Sequence, residues 1–189
     1  MATTKAKVVD EVLSGFATVI NSTIPQHIKS TGPIDAVNIE EARKLLEESG
    51  WQFNEQGILE NEEGITLSID ISTSNIEELS QAARIIAESW RQIGVDVEIK
   101  TFDSADLNPS VIRPRKFEAL LFGIVISQPN DLYAFWHSSQ RDDPGLNITS
   151  YTNITADELL LEIREDSDSD LEEKLNQFNS EILNDIPAI

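Results

Sequence analysis

Between residues 65 and 126 the hydrophobic period changes four times, and the order of those changes leaves few folds open. Ile65, Leu67, Ile69 and Ile71 alternate with Thr66, Ser68 and Asp70, the period of a half-buried strand. Asn75 with Glu78 three residues later has the chemistry of a helix N-terminus. From there Leu79, Ala82, Ala83, Ile86, Trp90 and Ile93 recur at helical spacing until Gly94 stops the pattern. Val95, Val97 and Ile99 restore the strand period at once. A short helix over 104–112 leads through Arg113-Pro114-Arg115 into the run Phe117 to Ile126. That run is apolar on both faces, as a central strand covered from two sides would be. Strand, helix, strand, helix, strand predicts a βαβαβ unit: an α/β chain with a mainly parallel sheet, right-handed crossovers and flanking helices.

The flanks fit one lobe built around that unit, over residues 1–189. Residues 1–37 form an entry helix and connector. The helix is expected over 5–21, with Val9, Val12, Leu13, Phe16, Val19 and Ile20 on one face, and the connector is marked by Pro25, Gly32 and Pro33. The sheet core spans 38–130. It opens with a helix capped by Asn38 and Glu41 and stopped by Gly50, then a hairpin-like turn at Asn61 to Gly64. Residues 131–189 hold an aromatic segment and two closing helices. Thr155 with Glu158 caps one, burying Leu159, Leu160 and Ile163. Ser169 with Glu172 caps the other, burying Leu171, Leu175, Phe178 and Ile182. Asn-Ile-Glu-Glu occurs at 38 and again at 75, but the flanks differ, and shared capping chemistry accounts for it.

Charge removes whole classes of partner. The chain carries 34 acidic and 14 basic side chains, 14 − 34 = −20, a field that repels nucleic acid and anionic membranes. With no cysteine there is no disulfide, thiol catalysis, zinc–thiolate site or Fe–S cluster. No apolar run reaches the ~18 residues a bilayer crossing needs. Met1 to Lys5 has no secretory signal pattern. That reads as cytoplasmic for a whole protein and as no address at all for an excised piece.

In an open parallel sheet, ligands gather beyond the carboxyl ends of the strands. Those ends are Ser72-Thr73-Ser74-Asn75, Thr101-Phe102-Asp103-Ser104 and Ser127-Gln128-Pro129-Asn130-Asp131, all polar and able to hydrogen-bond a ligand or simply to cap and turn. Tyr133-Ala134-Phe135-Trp136-His137 is the densest aromatic stretch, and it suits a core helix or a ligand-facing wall equally. Asp166 to Asp170 alternates like an EF-hand start, but Leu171 and Gln177 stand where that loop needs glycine and glutamate. His27 and His137 are too few and too far apart for a metal site, and no nucleophile elbow, P-loop or GxGxxG is present. Three Asn-x-Ser/Thr triplets, at 21, 147 and 153, matter only in a eukaryotic secretory setting.

Several segments, in order, resemble one family. They are Asn38-Ile-Glu-Glu-Ala-Arg-Lys-Leu-Leu46 with Gly50-Trp51, Gly57-Ile-Leu59 leading to Ile65-Thr-Leu67, and Ala87 through Trp90 and Gly94-Val95 to Glu98. Asp131 to Gln140, Asn147 to Tyr151, Asp157 to Leu160 and Asp185 to Ile189 complete the set. The chain is similar to the bacterial extracellular solute-binding proteins of family 5, the peptide and nickel branch of ABC-importer binding proteins. The resemblance implies a periplasmic-binding-protein type II-like lobe cut from a longer two-lobe protein. It implies no catalysis, cofactor or bound metal, and a solute such as an oligopeptide passed to permease subunits. It further implies a monomer outside the cytoplasm, lipoprotein-anchored in full-length form. The expected ligand contacts are Ser72, Thr73, Ser74, Phe102, Asp103, Ser127, Gln128, Asn130, Tyr133 and Trp136. In peptide binders of the family, an aspartate meeting the ligand's α-amine would fall at Ser127. A ligand here is therefore held without that ion pair, or its charge is met elsewhere. The other readings are a sensor or interaction module of the same fold, and a hydrolase using carboxylates.

Overall fold

The structure, a computed structural model, describes residues 2–22, 24, 38–126, 131–165 and 170–189. It is α/β, with a parallel sheet flanked by helices, and it divides into two compact units. The first comprises Met1–Val19, Pro33–Ile112 and Lys116–Gly123, and the second Ile20–Gly32, Arg113–Arg115 and Ile124–Ile189.

The first unit contains α1 (Lys5–Lys7, continuing as a π-helical turn Val8–Val12), α2 (Ile39–Glu48), β1 (Gln52–Phe53), β2 (Leu59–Glu60) and β3 (Ser68–Ser74). It continues with α3 (Glu77–Gln92), β4 (Asp96–Phe102), α4 (Ser104–Leu107, followed by a π-helical turn Asn108–Ile112) and β5 (Ala119–Leu120). The main sheet has the order β4–β3–β5, parallel throughout, with Ser68 opposite Asp96 and Ser72 opposite both Lys100 and Leu120. Alternation then sorts the side chains. Ile71, Val97, Ile69, Ile99, Ala119 and Leu121 pack on Ala83, Ile86, Ala87 and Trp90 of α3. The predicted stripe on α3 is buried at Ala82, Ala83 and Ile93 and half-buried at Leu79, Ile86 and Trp90, and the covered face is wider than predicted, taking in Ser80, Ile85, Ala87 and Ser89 as well. Each large aliphatic side chain so buried contributes roughly 1.5–3 kcal/mol.

Both long helices of this unit end in the same way. After α3, the N–H groups of Gly94 and Val95 donate to the carbonyls of Arg91 and Trp90. Gly94 has φ +92°, and an added Cβ would lie 2.5 Å from Phe53 Cε1 and 2.8 Å from Leu59 Cγ. Both the left-handed backbone and the close approach require glycine there. After α2, Gly50 and Trp51 repeat the pattern, and at its start Asn38 Oδ1 accepts from the Glu41 N–H, as predicted.

Four expectations for this stretch of the chain need correction. The entry helix stops at Val12 rather than 21, because Ser14 and Gly15 turn left-handed, and Phe16 is 93% exposed. The first strand of the sheet runs 68–74, not 65–71. Asn61 Oδ1 accepts from the N–H groups of Glu63 and Ile65, so the turn takes in Ile65 and leaves it exposed. The apolar run 117–126 is not the central strand: β3 is. Only Ala119–Leu120 joins the ladder, because side chains take the backbone groups on either side of it. Glu118 Oε2 accepts the Asp70 N–H, and the Thr73 hydroxyl donates to the Leu121 carbonyl. Asn75 does not cap α3, which begins at Glu77; the Ser74 hydroxyl oxygen accepts the Ile76 N–H instead.

The second unit holds α5 (Asp131–Trp136), a 3₁₀ turn (Ser138–Gln140), α6 (Ile154–Glu165) and α7 (Leu171–Asp185). Its core gathers Leu132, Trp136, Tyr151, Leu159, Leu160, Ile163, Leu175, Phe178 and Ile182, joined by Ile24. The inward faces predicted for the closing helices are the faces found. The cap on α6 is Asn153 rather than Thr155: its Oδ1 accepts the Ala156 N–H at 3.1 Å. Ser169 and the connector over 25–37 lie outside the described residues.

Candidate functional site

The carboxyl edge of the sheet is built in two tiers. In the lower tier Ser72, Thr73 and Ser74 are buried, at 1%, 0% and 3% exposure. Their hydroxyls are engaged within the unit. Thr73 donates to Leu121 O at 2.9 Å, Ser72 donates to Asp70 Oδ2 at 3.4 Å, and Ser74 accepts from Ile76. Asp70 in turn pairs with Lys100 Nζ at 3.1 Å, and that contact raises the Lys100 pKa. These groups hold the strand ends in register.

The upper tier reaches solvent. Asn75 and Asp103 follow β3 and β4 directly, and both are exposed. The Asn75 N–H donates to Phe102 O at 2.8 Å, and Asn75 Nδ2 donates to Asp103 Oδ1 at 2.5 Å. Phe102 is half-buried. Past β5 the chain leaves the ladder, and Phe122 is exposed; in the second unit Ile124 and Val125 are exposed too, Val125 at 83%. Sequence reasoning took this run for a buried strand and so missed it as a surface. Its signal is the same apolar pattern without a second strand to pair it. Ser127, Gln128 and Asn130 lie outside the described residues.

In the second unit the two expected aromatic contacts part company. Trp136 is core, 6% exposed, with its ring edge-on to Tyr151 at 6.2 Å. Tyr133 is half-buried and stacks on His137 at 4.3 Å, with Arg164 above its ring at 4.8 Å and its hydroxyl 3.2 Å from Ser139 Oγ.

His137, Ser138 and Asp157 invite comparison with a hydrolytic triad, and the geometry is wrong for one. The Ser138 hydroxyl donates to Asp157 Oδ2 at 2.5 Å, while His137 Nδ1 accepts the Ser139 N–H. The hydroxyl thus faces a carboxylate, and His137 Nδ1 is engaged by a backbone N–H rather than by that hydroxyl, so this trio lacks the serine–imidazole contact a triad needs. Among the described residues no group of three or more His, Asp or Glu side chains could hold a metal ion. None of the helices described is long and apolar enough to cross a membrane.

Comparison with known proteins decides the family. The family described as "Bacterial extracellular solute-binding proteins, family 5 Middle" matches residues 1–144. The chain belongs to that family. A search of curated protein sequences finds no match to this family 5 chain. Solved structures do match it. The oligopeptide-binding protein AppA of Bacillus subtilis, in complex with a nonapeptide, superposes with TM-score 0.85 at 27% identity. NikZ of Campylobacter jejuni, in complex with Ni(L-His), gives 0.83 at 21%. A mannohexaose-bound periplasmic oligopeptide-binding protein of Thermotoga maritima gives 0.81 at 21%. In each case the match covers 98% of this chain and 38% of the other, so the family 5 chain spans well under half the length of these proteins.

Proposed function

We propose that the chain is one lobe of the substrate-binding component of a peptide-type ABC importer, working outside the cytoplasm. A solute such as an oligopeptide would be enclosed between this lobe and a second one and delivered to permease subunits. The carrying observation is the match of residues 1–144 to a family of extracellular solute-binding proteins. Mechanistically this is hinge closure, with the solute stabilising the closed state by contacts the open state lacks. On this reading the whole protein is a lipoprotein-anchored monomer, and residues 1–189 act as a single lobe.

The solute would meet Phe102 and Asp103 at the strand ends, Ser127, Gln128 and Asn130, and Tyr133, while Ser72, Thr73, Ser74 and Trp136, expected as contacts, are buried and would act only by supporting them. The exposed apolar run from Phe122 to Val125 is the feature that favours a peptide-like ligand. Backbone groups there can pair with a peptide main chain as an added strand, with affinity largely independent of sequence. Native mass spectrometry of the protein purified from its host tests the reading by looking for a retained solute. Expected is a non-covalent adduct released on unfolding. A protein that arrives empty and hydrolyses peptides would sink the proposal.

A further inference from the structure

We propose that His137 is a pH-operated latch on the 3₁₀ turn Ser138–Gln140, closed by the neutral imidazole and released by the protonated one. His137 stands at the N-cap of that turn, where the side chain must accept a backbone N–H, and its Nδ1 accepts from Ser139 at 3.1 Å. An imidazole nitrogen accepts only while it carries a lone pair, so this cap requires the neutral ring with its proton on Nε2. The usual cap residues, Ser, Thr, Asn and Asp, remain acceptors throughout neutral pH. Histidine loses that function by taking up a proton there.

The same nitrogen has a second partner within reach. Asp157 Oδ1, on α6, lies 4.0 Å from Nδ1, and the two side chains are largely shielded, at 12% and 20% exposure. Asp157 already takes the Ser138 N–H at 2.8 Å on Oδ1 and the Ser138 hydroxyl at 2.5 Å on Oδ2. Each carboxylate oxygen can accept twice, so a third donor displaces neither. A proton from solvent on Nδ1 turns that atom from acceptor to donor, sets it against the Ser139 N–H and draws it toward Asp157. The two pairings exclude each other because they use one atom, which makes the element two-state.

The other charged groups near the ring give the protonated state no alternative acceptor. Arg141, whose Nε donates to the Ser138 carbonyl at 3.0 Å, and Arg164 are both cations. Tyr133 stacks on the imidazole at 4.3 Å, with its hydroxyl 3.2 Å from Ser139 Oγ. Arg164 lies 4.8 Å from the centre of that tyrosine ring, so an imidazolium brings a second cation to it. The change at Nδ1 therefore reaches Tyr133 as well as the turn.

NMR of the ¹⁵N-labelled 189-residue chain, from about pH 8 to about pH 5, tests the latch across the range in which an imidazole titrates. At the alkaline end, long-range ¹H–¹⁵N spectra of His137 should show the Nε2–H tautomer. On acidification the Ser139 amide proton should move upfield with the midpoint of the His137 ring, and the Tyr133 ring signals should move with it. His137→Asn offers Oδ1 as an acceptor that does not titrate, and should leave the Ser139 amide at its alkaline position throughout. An Nδ1–H tautomer at the alkaline end overturns the latch, as does a ring that takes up no proton over this range. A Ser139 amide that stays still while His137 titrates, or that moves equally in His137→Asn, overturns it too. Should that variant not fold, the tautomer and the shared midpoint in the unsubstituted chain decide the matter.

Discussion

Asn147 ties together the loop between α5 and α6 in the second unit. It is fully buried, and its Nδ2 donates to the carbonyls of Trp136 at 3.0 Å, His137 at 3.2 Å and Tyr151 at 3.0 Å. Its Oδ1 accepts from the Thr149 hydroxyl at 2.9 Å and the Tyr151 N–H at 3.2 Å. Asn147→Ala removes all five bonds, but they are not equal. The His137 carbonyl keeps the Gln140 N–H, and the Tyr151 N–H keeps the Thr149 hydroxyl. Among the described residues no other donor reaches the Trp136 and Tyr151 carbonyls, which are left buried and unpaired. At about 1–3 kcal/mol for each orphaned group, the substitution should cost roughly 3–5 kcal/mol.

Urea unfolding followed by Trp136 fluorescence, in a Trp51→Phe/Trp90→Phe background, measures this unit directly. With a slope of about 1 kcal/mol/M for a domain this small, the midpoint should fall by roughly 3 M or more. Asn147→Asp sharpens the test, because shape is kept while an oxygen replaces the amide donor. At neutral pH it should be at least as damaging as alanine. In acid a protonated carboxyl supplies one donor again, so the folded-state pKa of the new aspartate lies above its unfolded value and stability recovers as pH falls. A cost below about 1 kcal/mol for alanine, or an aspartate variant as stable as the original at neutral pH, would refute the view that these bonds hold the loop.

Gly94→Ala should destabilise the first unit by roughly 2–4 kcal/mol, since it combines a strained left-handed backbone with the overlap on Phe53 and Leu59, and calorimetry of the variant checks it. Trp136→Phe should cost only about 1 kcal/mol, far less than truncation, because no acceptor among the described residues meets the buried indole N–H; a loss above 3 kcal/mol in urea would reveal a partner. Hydrogen bonds from Tyr151 and Asn153 hold the Asp185 carboxyl below the usual aspartate range. Its contribution is therefore present above the unfolded pKa and lost as pH falls through the folded one, so the urea midpoint should drop below about pH 4, and Asp185→Asn should flatten that drop. On the lobe reading the isolated chain should bind peptides weakly, and submicromolar affinity in isothermal titration would contradict it.

The elements that local chemistry determines were legible in the sequence. The α3 stripe from Leu79 to Ile93, the glycine stops at 50 and 94 and the inward faces of α6 and α7 follow from period and capping alone. What was not legible depends on which of two equivalent partners a polar group takes. Asn75 has the spacing of a helix cap and instead reaches the next strand; Asn153, read past in favour of Thr155, is the cap. The run 117–126 has the composition of a central strand, and whether it pairs is decided by Glu118 and Thr73, whose side chains satisfy the backbone that a longer ladder would use. No one-dimensional pattern distinguishes an apolar strand that is covered from one that is left open.

That last distinction bears on how the candidate edge can bind anything. The hydroxyls of Ser72, Thr73 and Ser74 looked like ligand contacts because they sit at a strand end, yet each already has a partner inside the unit. A solute reaching them would have to break those bonds and would gain little net free energy, since one hydrogen bond replaces another. Groups that reach solvent offer more. Among the described residues of the first unit, the exposed Asn75, Asp103 and Phe122 are such groups. The buried serines and threonine would then act at one remove, by fixing the strand ends so that the outer groups are held in place before the solute arrives. Thr73→Val separates the two roles. As a positioning residue, it should lower stability by about 1 kcal/mol and weaken peptide binding only in proportion to any displacement of Leu121. Binding abolished with stability unchanged would instead make Thr73 a direct contact.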